Sequence, residues 1–172
     1  MSDKRTLIET IIQNDMLKLS IPGFKENLSL RYLVLDFNGT LAVDGKLIKG
    51  VKKELNDLSK TLDIHVLTGD SFGTARKELK GIKCKINILP KENQAKEKEK
   101  YIKKFGPESV IAIGNGRNDY FMLKLSAIGI ILVQDEGASA ETLGVADVVC
   151  KNILSALELL KHPLRLSATL RS

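Results

Sequence analysis

Side chains able to take part in catalysis or to bind a metal stand at the ends of three short apolar runs. They are Asp36 after residues 32–35, Thr68 after residues 64–67, and Asn115 and Asp119 after residues 110–113. Carboxylates can act as nucleophiles, acid–base groups or Mg²⁺ ligands, while amides and hydroxyls can bind a substrate. Taken singly, Asp or Asn beside Gly after a strand is ordinary turn chemistry, so any function depends on the three positions meeting in space.

The elements that would bring these positions together are strands of a parallel sheet. Six apolar runs are short and rich in β-branched residues, which indicates strands buried on both faces. The runs are residues 32–35, 64–67, 86–89, 110–113, 128–133 and 147–149. Apolar residues with helical spacing occupy residues 51–62, 101–105 and 153–160. This alternation predicts an α/β fold, a Rossmann-like three-layer α/β/α sandwich with a central parallel sheet whose strand ends share one crevice.

Two further segments predict antiparallel hairpins. Residues 16–21 alternate between apolar and polar side chains, break at Pro22-Gly23 and resume at residues 28–30. This pattern predicts an N-terminal β-hairpin that leads into the first core strand. Residues 41–48 predict a tighter hairpin that turns on Asp44-Gly45.

The size of the chain predicts a single domain over residues 1–172, since 43% of its 172 residues are apolar. Residues 1–15 are expected to form an N-terminal helix or extension, because the apolar residues among the first 14 have helical spacing. Two cysteines and two histidines are too few for a disulfide framework or a zinc site. No apolar run approaches the roughly 20 residues of a membrane helix, so we expect a cytoplasmic protein without membrane association.

The net charge of +6 arises mainly in residues 76–104, which hold 11 Lys and Arg residues and four Glu residues. Such a surface could attract a phosphate or a nucleic acid. The lysines also alternate with glutamates at helical spacing, which is typical of a solvated helix face. The chain has no Trp, five Phe and three Tyr, so few rings could stack on bases and we do not expect nucleic-acid binding.

The polar positions occur in an order that resembles the motif series of the haloacid dehalogenase superfamily. The series is Asp36-Phe37-Asn38-Gly39-Thr40, then a strand ending in Thr68, then a lysine-bearing helix, then Gly114-Asn115-Gly116-Arg117-Asn118-Asp119. The resemblance extends from about residue 16 to the C-terminus, including the tail region at residues 163–166. It is strongest to the soluble subgroup related to the phosphorylation domain of P-type ATPases.

The resemblance implies a phosphatase or phosphotransferase that forms an aspartyl-phosphate on Asp36, with Mg²⁺ as cofactor and a phosphorylated substrate. A carboxylate becomes a useful nucleophile when a divalent cation and N–H groups neutralise the phosphoryl oxygens. We expect Gly39 and Thr40 to offer such N–H groups. Thr68 and Gly69 would hydrogen-bond a phosphate oxygen.

The phosphate-binding lysine that the resemblance implies has three candidates. In the family it begins a helix in which apolar residues follow at the third, fourth and seventh positions. Lys98 fits this spacing, because Tyr, Ile and Phe occupy residues 101, 102 and 105. Lys96 ranks second, because Glu99 and Lys100 stand at the first two of its three positions, and Lys91 ranks third.

The cation that the resemblance implies would lie on Asp36, the main-chain carbonyl of Asn38, Asn115 and Asp119, in part through water. Positions 38 and 115 are aspartates in most of the family, and both are asparagines here. The amide oxygen of Asn115 can still bind a metal, but two formal negative charges are missing. We therefore expect weaker binding of Mg²⁺.

Asn38 also stands at a catalytic position. In phosphatases of the superfamily, the residue two after the nucleophile is an aspartate that protonates the leaving group and then activates water. An amide cannot transfer a proton, and general acid–base catalysis contributes about 10²–10⁴-fold. P-type ATPases also lack an acid here and have a long-lived phospho-aspartate. The resemblance thus implies phosphoryl transfer to Asp36 with slow hydrolysis.

The spacing of the motifs leaves no room for a cap domain, either between Asp36 and Thr68 or between Thr68 and Lys98. An uncapped crevice stays open to water unless a partner covers it. The spacing favours a macromolecular substrate, a homo-oligomer that supplies a lid, or slow turnover.

A second hypothesis is a catalytically impaired regulatory or binding protein that keeps the fold, with turnover made negligible by the two asparagines. The presence of Asp36, Thr68, a well-placed lysine and Asp119 favours the enzyme.

Overall fold

The computed structural model describes residues 11–12 and 16–172. The strands are β1 Ile11–Ile12, β2 Leu17–Ile21, β3 Lys25–Leu30, β4 Tyr32–Asp36, β5 Ala42–Val43, β6 Lys46–Leu47, β7 Asp63–Thr68, β8 Lys85–Ile88, β9 Val110–Gly114, β10 Ile128–Leu132 and β11 Val148–Cys150. The helices are α1 Val51–Leu58, α2 Ala75–Glu78, α3 Gln94–Phe105, α4 Tyr120–Leu125, α5 Ala140–Leu143, α6 Ile153–Lys161 and α7 Pro163–Leu170. Six strands form one parallel sheet in the order β11-β10-β9-β4-β7-β8. The predicted Rossmann-like α/β fold is confirmed.

Successive residues of β4 belong to the two different apolar layers. Leu33 and Leu35 pack in the layer formed by α1, α6, α7 and the N-terminal hairpin, whereas Val34 packs in the layer of α3 and α4. All three side chains are fully buried, as the two-sided burial of a central parallel strand requires. A slip of one residue would exchange the two sets, so this packing fixes the register of β4.

The register of β4 places the polar strand ends at one edge of the sheet. Asp36 is opposite Leu67 of β7, and Leu35 is opposite Ile113 of β9. Because these strands are parallel, Asp36, the end of β7 and the end of β9 lie at the same edge.

The predicted N-terminal hairpin is present as β2 and β3, which pair antiparallel with Leu19 opposite Leu28. β1 adds a third strand, with Ile12 opposite Leu17. The predicted amphipathic helix is therefore wrong at Ile11–Ile12, where pairing with β2 overrides the helical spacing. The rest of that prediction, at residues 1–10 and 13–15, lies outside the described residues.

The chain between the motifs is short and contains no inserted domain among the described residues. Between Asp36 and Thr68 it forms the predicted β5–β6 hairpin and α1, and between Thr68 and Lys98 it forms α2, β8 and the start of α3. No helix within residues 11–12 and 16–172 is long and apolar enough to cross a membrane.

Candidate active site

Three strand ends and one helix bring polar side chains to the carboxyl edge of the sheet. Asp36 is the last residue of β4, Thr68 is the last residue of β7, and Asn115 follows β9 directly. Lys98 reaches the same edge from the buried face of α3, one turn before Ile102. Asp36, Thr68, Lys98 and Asn115 are all buried, although each is polar or charged.

Lys98 lies between two buried carboxylates. Its Nζ donates to Asp36 Oδ1 at 2.7 Å and to Asp119 Oδ1 at 2.6 Å. Lys98 and Asp119 are 0% exposed, and Asp36 is 7% exposed. With all three groups ionised, the cluster carries one net negative charge in a region of low dielectric, which favours a cation from solution.

Burial and charge set the protonation of this cluster. Burial raises the pKa of Asp36, the attraction of Lys98 opposes the rise and the repulsion of Asp119 adds to it, so that the pKa is about 6 in place of 3.8. Burial lowers the pKa of Lys98, but the attraction and hydrogen bonds of both carboxylates outweigh burial and hold that pKa above its ordinary value of 10.5. At neutral pH, Asp36 is ionised and able to attack, whereas Lys98 keeps its proton and is a poor general acid.

Replacing Asp36 with asparagine should stabilise the metal-free protein by about 2–3 kcal/mol at about pH 7.5. The raised pKa means that the folded state favours neutral Asp36, so its ionisation costs stability as the pH rises from 3.8 through about 6. The gain should therefore shrink as the pH falls from about 6 and be lost below about pH 4. Urea unfolding at both pH values in a chelating buffer measures the difference, and a variant no more stable than the parent at either pH would contradict it.

Asp119 organises the loop that follows β9. Its Oδ2 accepts hydrogen bonds from the main-chain N–H groups of Asn115 at 3.0 Å and Gly116 at 2.9 Å. A side chain at Gly114 would collide with the Asp119 carboxyl group. With Oδ1 bound by Lys98, both oxygens have protein partners, so Asp119 positions Lys98 and the loop. Its predicted place on the cation, in part through water, stays a prediction.

Asn115 is fixed with its amide oxygen towards Asp36. Its Nδ2 donates to the main-chain carbonyl of Gly137 at 3.0 Å, which leaves Oδ1 on the other side. Thr40 Oγ1 lies 3.3 Å from Asn115 Oδ1 and 3.5 Å from Asp36 Oδ2. Gly39 has a φ of 77° and lies against the Asn115 side chain, where any Cβ would collide. Glycine therefore allows the two loops to approach and place both oxygens near each other.

The carboxylate oxygen of Asp36 and the amide oxygen of Asn115 are the ligands that a divalent cation would use. A carboxylate and an amide oxygen, together with the main-chain carbonyl of Asn38, make the all-oxygen set that Mg²⁺ prefers. Within the described part of the chain, no group of three or more His, Cys, Asp and Glu side chains could hold a metal. The residues thus fit Mg²⁺ chemically, with Asp36 as the only carboxylate, and a site of this charge should bind weakly.

Replacing Asn115 with aspartate should tighten Mg²⁺ binding by about 10-fold or more, because it adds a second carboxylate to the ligand set. Calorimetric titration of Mg²⁺ into the parent and the variant measures the change. Asn152→Asp is a matched control, since Asn152 caps α6 through its side-chain oxygen, a role that aspartate also performs. Equal affinity in the parent and Asn115→Asp would exclude Asn115 as a ligand.

The main-chain N–H groups of Gly39 and Thr40 are used inside their own loop. Gly39 N–H donates to the carbonyl of Ala42 at 2.8 Å, and Thr40 N–H donates to the carbonyl of Phe37 at 3.2 Å. The turn after β4 uses both of them, and the expectation that they also bind a phosphoryl group stays a prediction.

Asn38 places a buried amide oxygen in the same loop. Its Oδ1 is hidden from solvent and has no hydrogen-bond partner among the described residues. A buried acceptor left in this state is one that a substrate or a bound water can satisfy.

Thr68 and Lys98 are the predicted phosphate-binding side chains that lie at the site. Thr68 Oγ1 accepts a hydrogen bond from the N–H of Asp70 at 2.9 Å, so its hydroxyl hydrogen is available to a ligand. Of the three candidate lysines, Lys98 is buried at the site, whereas Lys96 and Lys91 are exposed. The helical spacing on which Lys98 was preferred therefore agrees with the buried face of α3.

Two glutamines at the site carry no sequence signal. Gln134 Nε2 donates to the carbonyls of Gly39 at 2.8 Å and Thr40 at 2.9 Å, and Gln134 Oε1 accepts from Ile153 N–H at 3.0 Å. Gln94 lies against Gly69 at the end of β7. Each is a single amide without a motif or a spacing, so sequence reasoning had no basis for choosing it.

His65 lies away from this site, inside an aromatic cluster under α3. It is fully buried, its Nδ1 lies 2.7 Å from Tyr101 Oη, and its ring packs edge-on against Phe105. Burial lowers the pKa of His65, with Asp63 opposing the shift.

Two curated proteins of Methanocaldococcus jannaschii are similar to the chain in sequence. The uncharacterized protein MJ0073 is 46% identical over 71 residues, which make up 41% of this chain and 76% of MJ0073. The uncharacterized protein MJ0072 is 44% identical over 39 residues, which make up 23% of this chain and 89% of MJ0072. No protein-family model matches the chain.

Solved structures similar to the chain include phosphatases. The 3-deoxy-D-manno-octulosonate 8-phosphate phosphatase of Moraxella catarrhalis, in complex with magnesium, phosphate and KDO, has a TM-score of 0.59 and 18% identity and covers 77% of this chain and 86% of its own. The cobalt-bound phosphatase of the same name from Haemophilus influenzae has a TM-score of 0.62 and 14% identity over 83% and 94% of the two chains. BT1666 of Bacteroides thetaiotaomicron, described among phosphatases of the haloalkanoate (HAD) superfamily, has a TM-score of 0.53 and 14% identity over 81% and 96%. At these identities, the likeness is one of fold.

Proposed function

We propose that this chain, which belongs to the family of the Methanocaldococcus jannaschii protein MJ0073 and has the fold of haloacid dehalogenase phosphatases, is a Mg²⁺-dependent phosphoryl-transfer enzyme with Asp36 as its nucleophile. The observation that carries the proposal is the buried cluster of Asp36, Lys98 and Asp119 at the carboxyl edge of the sheet. In open α/β sheets this edge is where ligands bind. A buried, ionised carboxylate beside a fixed lysine is suited to attack a phosphorus atom whose oxygens need neutralising.

In the proposed reaction, a carboxylate oxygen of Asp36 forms a bond to phosphorus, and the bond to the leaving group breaks with its electron pair on the leaving atom. Lys98 neutralises a phosphoryl oxygen, and the Thr68 hydroxyl donates a hydrogen bond to another. Asp36, Asn115 and the Asn38 carbonyl would hold Mg²⁺, which would supply further positive charge at the phosphoryl oxygens. Water then cleaves the aspartyl-phosphate, releasing phosphate and restoring Asp36.

Asn38 makes both steps slow for ordinary phosphate esters. The side chain beside the nucleophile is an amide, and Lys98 holds its proton too tightly to release it. The leaving atom therefore departs without a proton from these groups, and the attacking water loses its proton without their help. We infer a long-lived phospho-Asp36, which is the property that links this chain to the subgroup related to P-type ATPases.

The crevice is proposed to act without a cap. The β5–β6 hairpin, which directly follows the nucleophile loop, is anchored on both sides: the Asp44 N–H donates to Glu136 Oε1 at 3.0 Å, and Thr74 Oγ1 donates to the carbonyl of Gly45 at 2.7 Å. A hairpin held in this way is not free to close over the site. Because the crevice is open, we propose that it admits a macromolecular phosphorylated substrate or that a second copy in a homo-oligomer supplies a lid.

The two free cysteines are consistent with a reducing compartment, and we propose the cytoplasm.

A steady-state assay on an aryl phosphate, with and without Mg²⁺, tests the proposal. Turnover should require Mg²⁺ and should be lost in Asp36→Asn, which keeps the shape of the side chain but removes the nucleophilic carboxylate. Asn152→Asp, which changes an amide that caps α6 and is not among the proposed ligands, should behave like the parent. Equal turnover in the parent and Asp36→Asn would contradict Asp36 as the nucleophile.

The alternative is a regulatory or binding protein on the same fold. The presence of asparagine at both positions 38 and 115 favours it, because each removes a carboxylate from the site. It would replace the enzyme if Mg²⁺ bound while the rate on every phosphate ester stayed at the background of the buffer.

A further inference from the structure

Gln94 closes the gap between the end of β7 and the loop after β9. It is the first residue of α3, one turn before Lys98. Its carboxamide lies against Gly69, so that any side chain at position 69 would collide with it. Its Oε1 accepts a hydrogen bond from Asn118 Nδ2 at 3.0 Å. The side chain therefore touches residues on both sides of the crevice.

The hydrogen bond from Asn118 determines which way the carboxamide faces. Because Oε1 faces Asn118, Nε2 is the atom of Gln94 nearest to Gly69. The protein acceptor for Nε2 is the main-chain carbonyl of Lys91 at 3.4 Å, which is long for an N–H···O bond. A carboxamide nitrogen carries two hydrogens, so Nε2 can donate to a ligand at little cost.

Lys98 and Thr68 offer further hydrogen-bond donors on the same side of the crevice as Gln94. Residues four apart share a helix face, so Gln94 and Lys98 both project from α3 towards the crevice. The Thr68 hydroxyl hydrogen is available there, because Thr68 Oγ1 already accepts from the Asp70 N–H. An ammonium, a hydroxyl and a carboxamide N–H together suit an anion with several oxygens, such as a phosphoryl group.

We propose that Gln94 Nε2 donates a hydrogen bond to an oxygen of the substrate phosphoryl group, and that Asn118 is the positioning residue that holds the carboxamide in its donor orientation. This inference rests on the proposed phosphoryl-transfer function and adds a substrate-binding residue outside the sequence motifs. The ligand recognised is the phosphate dianion itself, whatever molecule carries it.

The test is calorimetric titration of inorganic phosphate into the protein at saturating Mg²⁺, which needs no turnover. Gln94→Leu should weaken phosphate binding by about 10-fold or more, the usual effect of losing one hydrogen bond to a charged group. Gln94→Glu should weaken it further, because it places a carboxylate beside the anion. Asn93→Asp is the matched control: it makes the same amide-to-acid change at the exposed neighbouring residue and should bind phosphate like the parent.

A double-mutant cycle separates positioning from a general structural effect of Asn118. Asn118→Ala should weaken phosphate binding in the parent but have little further effect in the Gln94→Leu background, since the carboxamide that it orients is then absent. The same loss in both backgrounds would overturn the positioning role. If Gln94→Leu does not fold, Gln94→Glu with its Asn93→Asp control decides the question.

The outcomes distinguish this inference from the function on which it rests. If Gln94→Leu and Gln94→Glu bind phosphate as tightly as the parent while Asp36→Asn abolishes turnover, Gln94 is not a phosphate ligand and the proposed function stands. If the parent does not bind phosphate and Asp36→Asn keeps full turnover, both are overturned.

Discussion

Asn38→Asp should hydrolyse an aryl phosphate at least about 10-fold faster than the parent chain at saturating Mg²⁺. Asn38 lies two residues after the nucleophile, and its amide oxygen is buried with no hydrogen-bond partner in the part of the chain that the structure describes. An aspartate there supplies a titratable group that can protonate the leaving oxygen and then take a proton from the attacking water. The full acid–base contribution is about 10²–10⁴-fold, so a partial recovery is enough to detect. The two side chains have nearly the same shape, so the fold should survive.

A series of aryl phosphates with leaving groups of different pKa gives the sharpest measurement. The kcat/KM of the parent, which reports the transfer to Asp36, should fall steeply as the leaving group becomes more basic, because nothing protonates it. The fall should be shallower in Asn38→Asp. Saturation with Mg²⁺ is required in every assay, since the added carboxylate also attracts the cation, and Asn115→Asp controls for added charge at the site without adding an acid at position 38.

Two results would contradict this interpretation of Asn38. If Asn38→Asp leaves saturated turnover unchanged while Asp36→Asn abolishes it, proton transfer does not limit the reaction. If neither substitution alters a background rate, the chain is not an enzyme and the regulatory hypothesis replaces the proposed function.

Lys98→Met should lower the free energy of unfolding by about 3–5 kcal/mol at about pH 7.5 in metal-free buffer. Methionine fills a similar volume, so the main loss is the charge between Asp36 and Asp119. Both carboxylates are buried, and without Lys98 they face each other with no cation. The loss should be smaller at about pH 5, because protonation of Asp36 removes one of the two negative charges.

Urea unfolding of Lys98→Met and Lys96→Met at both pH values measures this effect. Lys96 is on the same helix and exposed, so the same substitution there should change stability by less than about 0.5 kcal/mol. Equal stability of the two variants would show that the paired carboxylates do not depend on Lys98.

The parallel sheet could be predicted because its central strands are buried on both faces, which leaves short apolar, β-branched runs in the sequence. The segments that escaped prediction depend on tertiary contacts. Ile11–Ile12 has helical spacing but pairs with β2, and α4 is only six residues long, too short to show a period. α7 begins with Pro163 at its first helical position, a start signal that is weak without its packing partners.

At the site, the order of the motifs and the helical spacing on α3 together selected the residues that the structure brings to one place: Asp36, Thr68, Lys98 and Asp119. The hydrogen bonds within the loops could not be predicted in the same way. Asp119 accepts from N–H groups of its own loop, and the N–H groups of Gly39 and Thr40 donate within the turn after β4, because a loop needs these bonds for its own shape and they leave no trace in residue types.

The bonds of Gln134 tie the nucleophile loop to a distant helix. A single side chain bridges the carbonyls of Gly39 and Thr40 to the first N–H of α6, at Ile153. Opening the loop therefore also releases the start of α6, so the two segments should exchange their amide hydrogens with solvent as one cooperative unit. Local fluctuations that would otherwise move Asp36 away from Lys98 must then also overcome the stability of a packed helix. The packing of α6 therefore helps to keep the site in place, although α6 supplies none of its side chains.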